Sequence, residues 1–238
     1  MIAAAARCSA LAVVALNGLC LPDPAVAQGD PVAIAILPFE DRGSYGQEKE
    51  VFRALRLGIP ATIASDLRGH PELRLVDPNR VARLLDTRKA SPQAHLDAAT
   101  VARIGKEAGA RYAITGTFAD FYGKFRLEAR IVDTETGQIV KVVTNKDPSL
   151  QDRSELYRIV QLVGHQVLAE ASSSREEEQP RETDTRVIPT EALTEYSLGL
   201  LYEHQGDSGK AAQHYGRALS TYPNYPEARD AARRLRGP

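Results

Sequence analysis

Cysteine is almost absent from this chain. The two that occur in 238 residues, Cys8 and Cys20, both fall in the first twenty positions. Everything downstream is therefore closed to a disulfide framework, a thiolate zinc site or a cysteine nucleophile. Charge of one sign is lacking as well, with 30 basic against 31 acidic residues and a formal net charge of −1. That balance leaves no electrostatic footprint for nucleic acid or an anionic membrane. No segment approaches the ~20 apolar residues of a membrane-spanning helix. The phosphate cradle GxxxxGK, the dinucleotide GxGxxG, the zinc motif HExxH and the nucleophile elbow GxSxG are missing too.

The five histidines, His70, His95, His165, His204 and His214, are scattered. His204 and His214 are placed to approach across a helical hairpin, but metal sites announce themselves with three or four ligands. Glu176, Glu177 and Glu178 read as solvated chain, because calcium loops need spaced oxygen ligands and a turn glycine. The expectation is a protein that is not an enzyme and carries no cofactor, no metal and no nucleic acid.

What is present begins with an export leader over residues 1–27. Arg7 supplies the positive end, Ser9 to Leu21 an apolar stretch, and Ala25-Val26-Ala27 an A-x-A cleavage signal before Gln28. Its removal takes Arg7 and Asp23 and leaves the net charge at −1. Cys20 raises the alternative of a lipid anchor, although Leu19 stands where such signals carry a small residue. Export to the periplasm, with outer-membrane association as the variant reading, follows.

Residues 31–171 alternate strand and helix signals. Ala33 to Phe39 is a short apolar run that Pro38 is expected to end. Val51, Leu55, Ile59, Ile63 and Leu67 recur every four residues. Pro60 suits the first turn of a helix, so the spacing predicts a helix over 60–68, with at most one helical turn before Gly58. Glu72 to Asp77 reads as a strand, followed by a helix that Asp77 caps and Pro78 opens. Ser91-Pro92 breaks it, and Asp97 to Ala108 is a further helix that Gly109 stops. Arg111 to Thr117 is a third strand. Lys124 to Val132 alternates cleanly, and Asp133 to Gly137 turns the chain into Gln138 to Thr144. Leu156 to Ala171 closes the unit as a helix. The fold class predicted is α/β, a mixed sheet flanked by helices, followed by a small all-α hairpin.

Residues 172–189 carry eight charges and almost nothing apolar. Such a stretch cannot offset the entropy of ordering, and is read as a polar linker spanning roughly 25 Å as a coil.

Over 190–238, with Ala192 as first position, Leu198, Gly199, Tyr202, Ala211, Tyr215, Ala218 and Pro223 fall where tetratricopeptide repeats place their structural residues. The stretch resembles one such repeat. Gly199 and Ala211 permit close approach, Tyr215 fills the groove and Pro223 ends the second helix. Glu195 stands where the repeat's early aromatic belongs, and Tyr196 is displaced by one. Pro226 to Leu235 reads as a capping helix. The resemblance implies a concave face of Leu193, Tyr196, Leu200, Glu203 and His204, either turned to a partner or buried for stability alone.

The order VAIAILPFED, LRLVDPNRVARLL, VARIGKEAGARYAITGTF and FRLEARIVDTETGQIV is similar to the α/β domain shared by CsgG, the amino-terminal domain of TolB and lipoproteins that activate penicillin-binding proteins. That resemblance implies an envelope protein serving assembly, secretion or cell-wall machinery through protein contacts. The alternative it implies is a subunit of an oligomeric outer-membrane secretion complex. A lone hairpin repeat cannot bury its own apolar face. The polar linker leads to the expectation that another envelope protein, or a second copy, supplies the cover.

Overall fold

The computed structural model describes residues 30–87, 96–145, 150–171 and 186–237. The leader, Cys20, His95, Ser91-Pro92 and residues 172–185 of the polar stretch lie outside the described residues. The elements run β1 (Val32–Asp41), α1 (Lys49–Leu67), β2 (Leu73–Leu75), α2 (Pro78–Thr87), α3 (Ala98–Ala108), β3 (Tyr112–Phe121), β4 (Lys124–Asp133), β5 (Ile139–Thr144), β6 (Gln151–Asp152) and α4 (Leu156–Ala171). Three helices follow, α5 (Thr190–His204), α6 (Ser208–Thr221) and α7 (Pro226–Leu235). The result is a mixed sheet flanked by helices, with a helical segment at the C-terminal end.

The sheet order is β2-β1-β3-β4-β5, and β6 pairs with the start of β4. β1 runs parallel to β2 and β3, while β3, β4 and β5 are antiparallel neighbours. One face packs Ile34, Ile114, Phe118, Phe125, Leu127 and Ile131 against Leu55, Ile59 and Ile63 of α1 and Val160, Val163 and Val167 of α4. The other packs Ala35, Leu37, Ala113 and Val132 against Val81 of α2 and Val101, Ile104 and Ala108 of α3. Local capping holds the connections. Asp77 Oδ1 accepts from Asn79 N–H, Asp97 Oδ1 accepts from Thr100 N–H at 2.7 Å, and Gly109 ends α3 with a left-handed φ of 80°.

Two proline expectations are corrected. Pro38 does not end β1. The register passes from Ile36↔Ile114 to Phe39↔Gly116, so one extra residue is absorbed as a bulge. That slip reverses the alternation: Leu37 faces α3, but Phe39 faces α1. Gly116 makes room for it, since a Cβ there would lie 2.2 Å from the Phe39 ring. Likewise Pro60 sits inside α1, a single helix of 19 residues. Proline in a helix interior forfeits a hydrogen bond and costs about 3 kcal/mol. Burial of Phe52, Ala54 and Leu55 in the turns ahead of it outweighs that loss.

The larger correction concerns cover for the helical hairpin. α5 lies directly against α1. Leu198 and Leu201 pack on Ala54, and Ser197 sits against Gly58 so closely that a Cβ on Gly58 would fall 1.8 Å from Ser197 Oγ. Tyr202 Oη donates to Glu50 Oε1 at 2.6 Å, and Ser65 of α1 hydrogen-bonds Glu227 of α7. Ile188, in the stretch read as a linker, is buried in the same core. The missing apolar surface is supplied by the chain's own α/β domain.

Candidate functional site

Each residue singled out in the hairpin has a definite place. Gly199 faces Tyr215, whose ring would lie 2.3 Å from a Cβ at that position. Ala211, Tyr215 and Ala218 are fully buried, and Pro223 lies in the turn between α6 and α7. Tyr215 Oη donates to Glu203 Oε2 at 2.5 Å; burial first, then that bond, drives its pKa far above the usual phenol value.

Of the supposed concave face, Leu193 and Tyr196 are buried, Leu200 and Glu203 are half-buried and His204 is exposed. Tyr196 packs its ring against Tyr215 and Tyr225, and burial raises its pKa as well. Tyr225, just ahead of α7, and Arg234 of α7, 3.4 Å from Glu203, cover part of the face expected to receive a ligand. His214 does not meet His204. Its Nδ1 lies 2.7 Å from Glu195 Oε2, and its ring stacks on Tyr202 at 5.2 Å.

Outside the hairpin, Asp133 occupies the β4–β5 turn. Its Oδ1 accepts from Glu135 N–H and Thr136 N–H and lies 2.7 Å from Arg111 Nη1. The Arg111 guanidinium, followed by the Thr136 amide, holds this carboxyl well below the usual carboxylate range. The group locks a turn. Buried Asp120 similarly accepts from Gly123 N–H and pairs with Arg153 at 3.0 Å, which also reaches Glu48. Among the described residues no group of three or more His, Cys, Asp or Glu is placed to hold a metal ion, and no helix is long and apolar enough to cross a membrane. Two clefts, of about 390 and 370 Å3, lie beside the C-terminal end of α1 and between α4 and Ile188.

Two groups of neighbouring exposed apolar side chains stand out among the described residues. Tyr45 (56% exposed) is stacked between Phe121 and Tyr122 (83%) at the β3–β4 turn, and Tyr122 carries a left-handed φ of 52°. The second is β5, at the end of the sheet order. Ile139, Val140 and Val142 are exposed by 43, 52 and 47%, and among the described residues no strand pairs with its outer side. An unpaired edge presents a row of backbone donors and acceptors ready for another strand. The run Gln138 to Thr144 announces that strand in the sequence. Its edge position could not be read there, because sheet order is not a local property.

No family model matches the chain, and no curated protein matches it. Among solved structures it is similar to the C-terminal domain of LpoB from Salmonella enterica, with 15% identity over 52% of this chain and 84% of that one, at a TM-score of 0.37. The corresponding domain from Escherichia coli gives 16% identity, 48 and 79% coverage and a TM-score of 0.36. A PelC dodecamer from Paraburkholderia phytofirmans gives 14% identity, 62 and 91% coverage and a TM-score of 0.32.

Proposed function

We propose that this chain is a non-enzymatic protein–protein interaction protein, exported to the bacterial cell envelope, and that it engages proteins at the outer edge of β5. The observation that carries the reading is that edge: three β-branched apolar side chains stand exposed on a six-residue strand with an open outer side. Strand addition at such an edge supplies main-chain hydrogen bonds for affinity and alternate side chains for specificity. The leader-like residues 1–27 support the compartment. The α5–α7 segment then acts as an internal brace on α1. Assembly, secretion or cell-wall machinery are the settings in which a periplasmic scaffold of this kind would serve.

A photo-crosslinking residue placed at Val142, with His204 as the exposed control, tests the reading in intact cells. Protein adducts from position 142 and none from 204 are expected, on a chain whose processed N-terminus is Gln28. Adducts from 204 alone would return docking to the helical hairpin. A chain retained in the cytoplasm would overturn the compartment. Partition of the purified protein into a detergent phase would favour the subunit of an outer-membrane secretion complex instead.

A further inference from the structure

The sheet has a second open edge, at the opposite end of the strand order from β5. There β2 pairs with β1 alone among the described residues, with Leu73 and Leu75 in register with Val32 and Ile34. Val32 N–H donates to Glu72 O at 2.7 Å, and Val76 N–H donates to Ile34 O at 2.8 Å. In a parallel ladder the bonds are evenly spaced and alternate residues carry them. Glu72, Arg74 and Val76 therefore face β1, and Leu73 and Leu75 turn their backbone groups away from it. Leu73 N–H is taken by His70 O at 3.1 Å. What stays open along the edge is the Leu73 carbonyl and both backbone groups of Leu75.

The cleft of about 390 Å3 runs beside this edge, between the last turn of α1 and the start of α2. Leu67, Leu73 and Leu75 give it an apolar floor, and Arg68 and Arg74 bring two guanidinium groups to its lining. Both arginines are exposed, and neither has an ion-pair partner among the described residues. Asp77 is the acidic residue of the lining, and its Oδ1 is occupied by Asn79 N–H at 2.9 Å. The cleft is thus locally positive on a chain whose net charge is −1. An acidic ligand drawn here is drawn by these two side chains and not by the field of the whole molecule.

We infer that the β2 edge and its cleft bind a short, extended, acidic peptide segment, at a site separate from β5. A strand laid parallel to β2 answers the open edge with one residue, whose C=O accepts from Leu75 N–H and whose N–H donates to the Leu73 carbonyl. Carboxylates on the same segment meet Arg68 and Arg74, whose planar forks offer paired donors. A bare anion would use the guanidinium groups and leave the backbone groups unanswered, whereas a peptide answers both. The shortness of β2, three residues, limits the paired stretch to roughly 10 Å.

The test titrates the 15N-labelled full chain with the acetylated pentapeptide Glu-Val-Glu-Val-Glu, using Lys-Val-Lys-Val-Lys as the control. The acidic peptide is expected to slow amide exchange at Leu75, and to bind more weakly as salt is raised. Arg68→Gln/Arg74→Gln, which alters exposed side chains only, should keep the parent circular dichroism and lose about tenfold or more in affinity. Equal binding of the lysine peptide overturns the inference, as does undiminished binding by the double variant. Unchanged exchange at Leu75 under saturating acidic peptide overturns it too. If inorganic phosphate then displaces that peptide, the arginines form an anion site without strand addition. Slowed exchange at Val142 in place of Leu75 would sink the β2 site and leave docking at β5 standing.

Discussion

At Gly58 a hydrogen atom replaces the Cβ that any other residue would carry, and this lets α5 reach α1. Ser197 Oγ and Cβ would lie 1.8 and 2.6 Å from that missing atom. Gly58→Ala should destabilise the protein by about 1–3 kcal/mol through overpacking. The double variant Gly58→Ala/Ser197→Gly should recover part of that loss, because contacting residues do not behave additively. Urea titrations of the four proteins decide it; simple addition would mean the two side chains do not compete for the same space.

Asp133 offers a second residue-scale check. Its folded-state pKa is depressed by Arg111 and Thr136, so the unfolded chain binds its proton more readily. The stability it contributes is present above the ordinary carboxylate pKa of about 4 and is lost as pH falls toward the folded value. Asp152, held at about 2 by the Ser154 amide and hydroxyl and then Lys124, titrates in the same direction. The stability gap between the parent protein and Asp133→Asn should therefore narrow as the solution is acidified below that range. A gap that is constant with pH would show that the Arg111 contact contributes nothing in solution.

Elements show where local signals suffice. α3 is bounded in the sequence by Asp97 and Gly109, and both residues act as read. The β4–β5 hairpin is equally legible, because its first strand alternates with period two and its turn chemistry at Asp133 and Gly137 is local. The hairpin of α5 and α6 announces its internal contact through Gly199 and Tyr215. α1 departs from its sequence reading at Pro60 because a propensity rule loses to burial, and burial of Phe52 and Ala54 depends on elements far along the chain. The cover for α5 is hidden for the same reason: Gly58 is visible, but its partner Ser197 lies 139 positions later. If α5 is integral to the core, Leu193→Ala should cost about 2–5 kcal/mol. Far-UV and near-UV dichroism should then still report one coincident, lowered transition. Separate transitions, with only the helical one shifted, would mark an autonomous repeat.

For the whole molecule, the position of the C-terminal helices sets what the surface can offer. α1 is apolar on more than one side. Leu55, Ile59 and Ile63 serve the sheet, while Ala54 and Gly58 serve α5. Such a helix needs cover from both directions, which an α/β domain ending at Ala171 does not provide. A chain truncated after Ala171 should expose that second side, bind a hydrophobic dye such as ANS strongly and unfold at a lower urea midpoint than the full protein. Supplying residues 186–237 as a separate polypeptide should suppress the dye signal, since the contact relies on shape and not on covalent continuity. Were the truncated protein instead as stable and as dye-silent as the full chain, α5–α7 would contribute nothing to the core. The hairpin would then be free to leave α1, and Leu193 and Tyr196 would return as candidates for a docking face alongside β5.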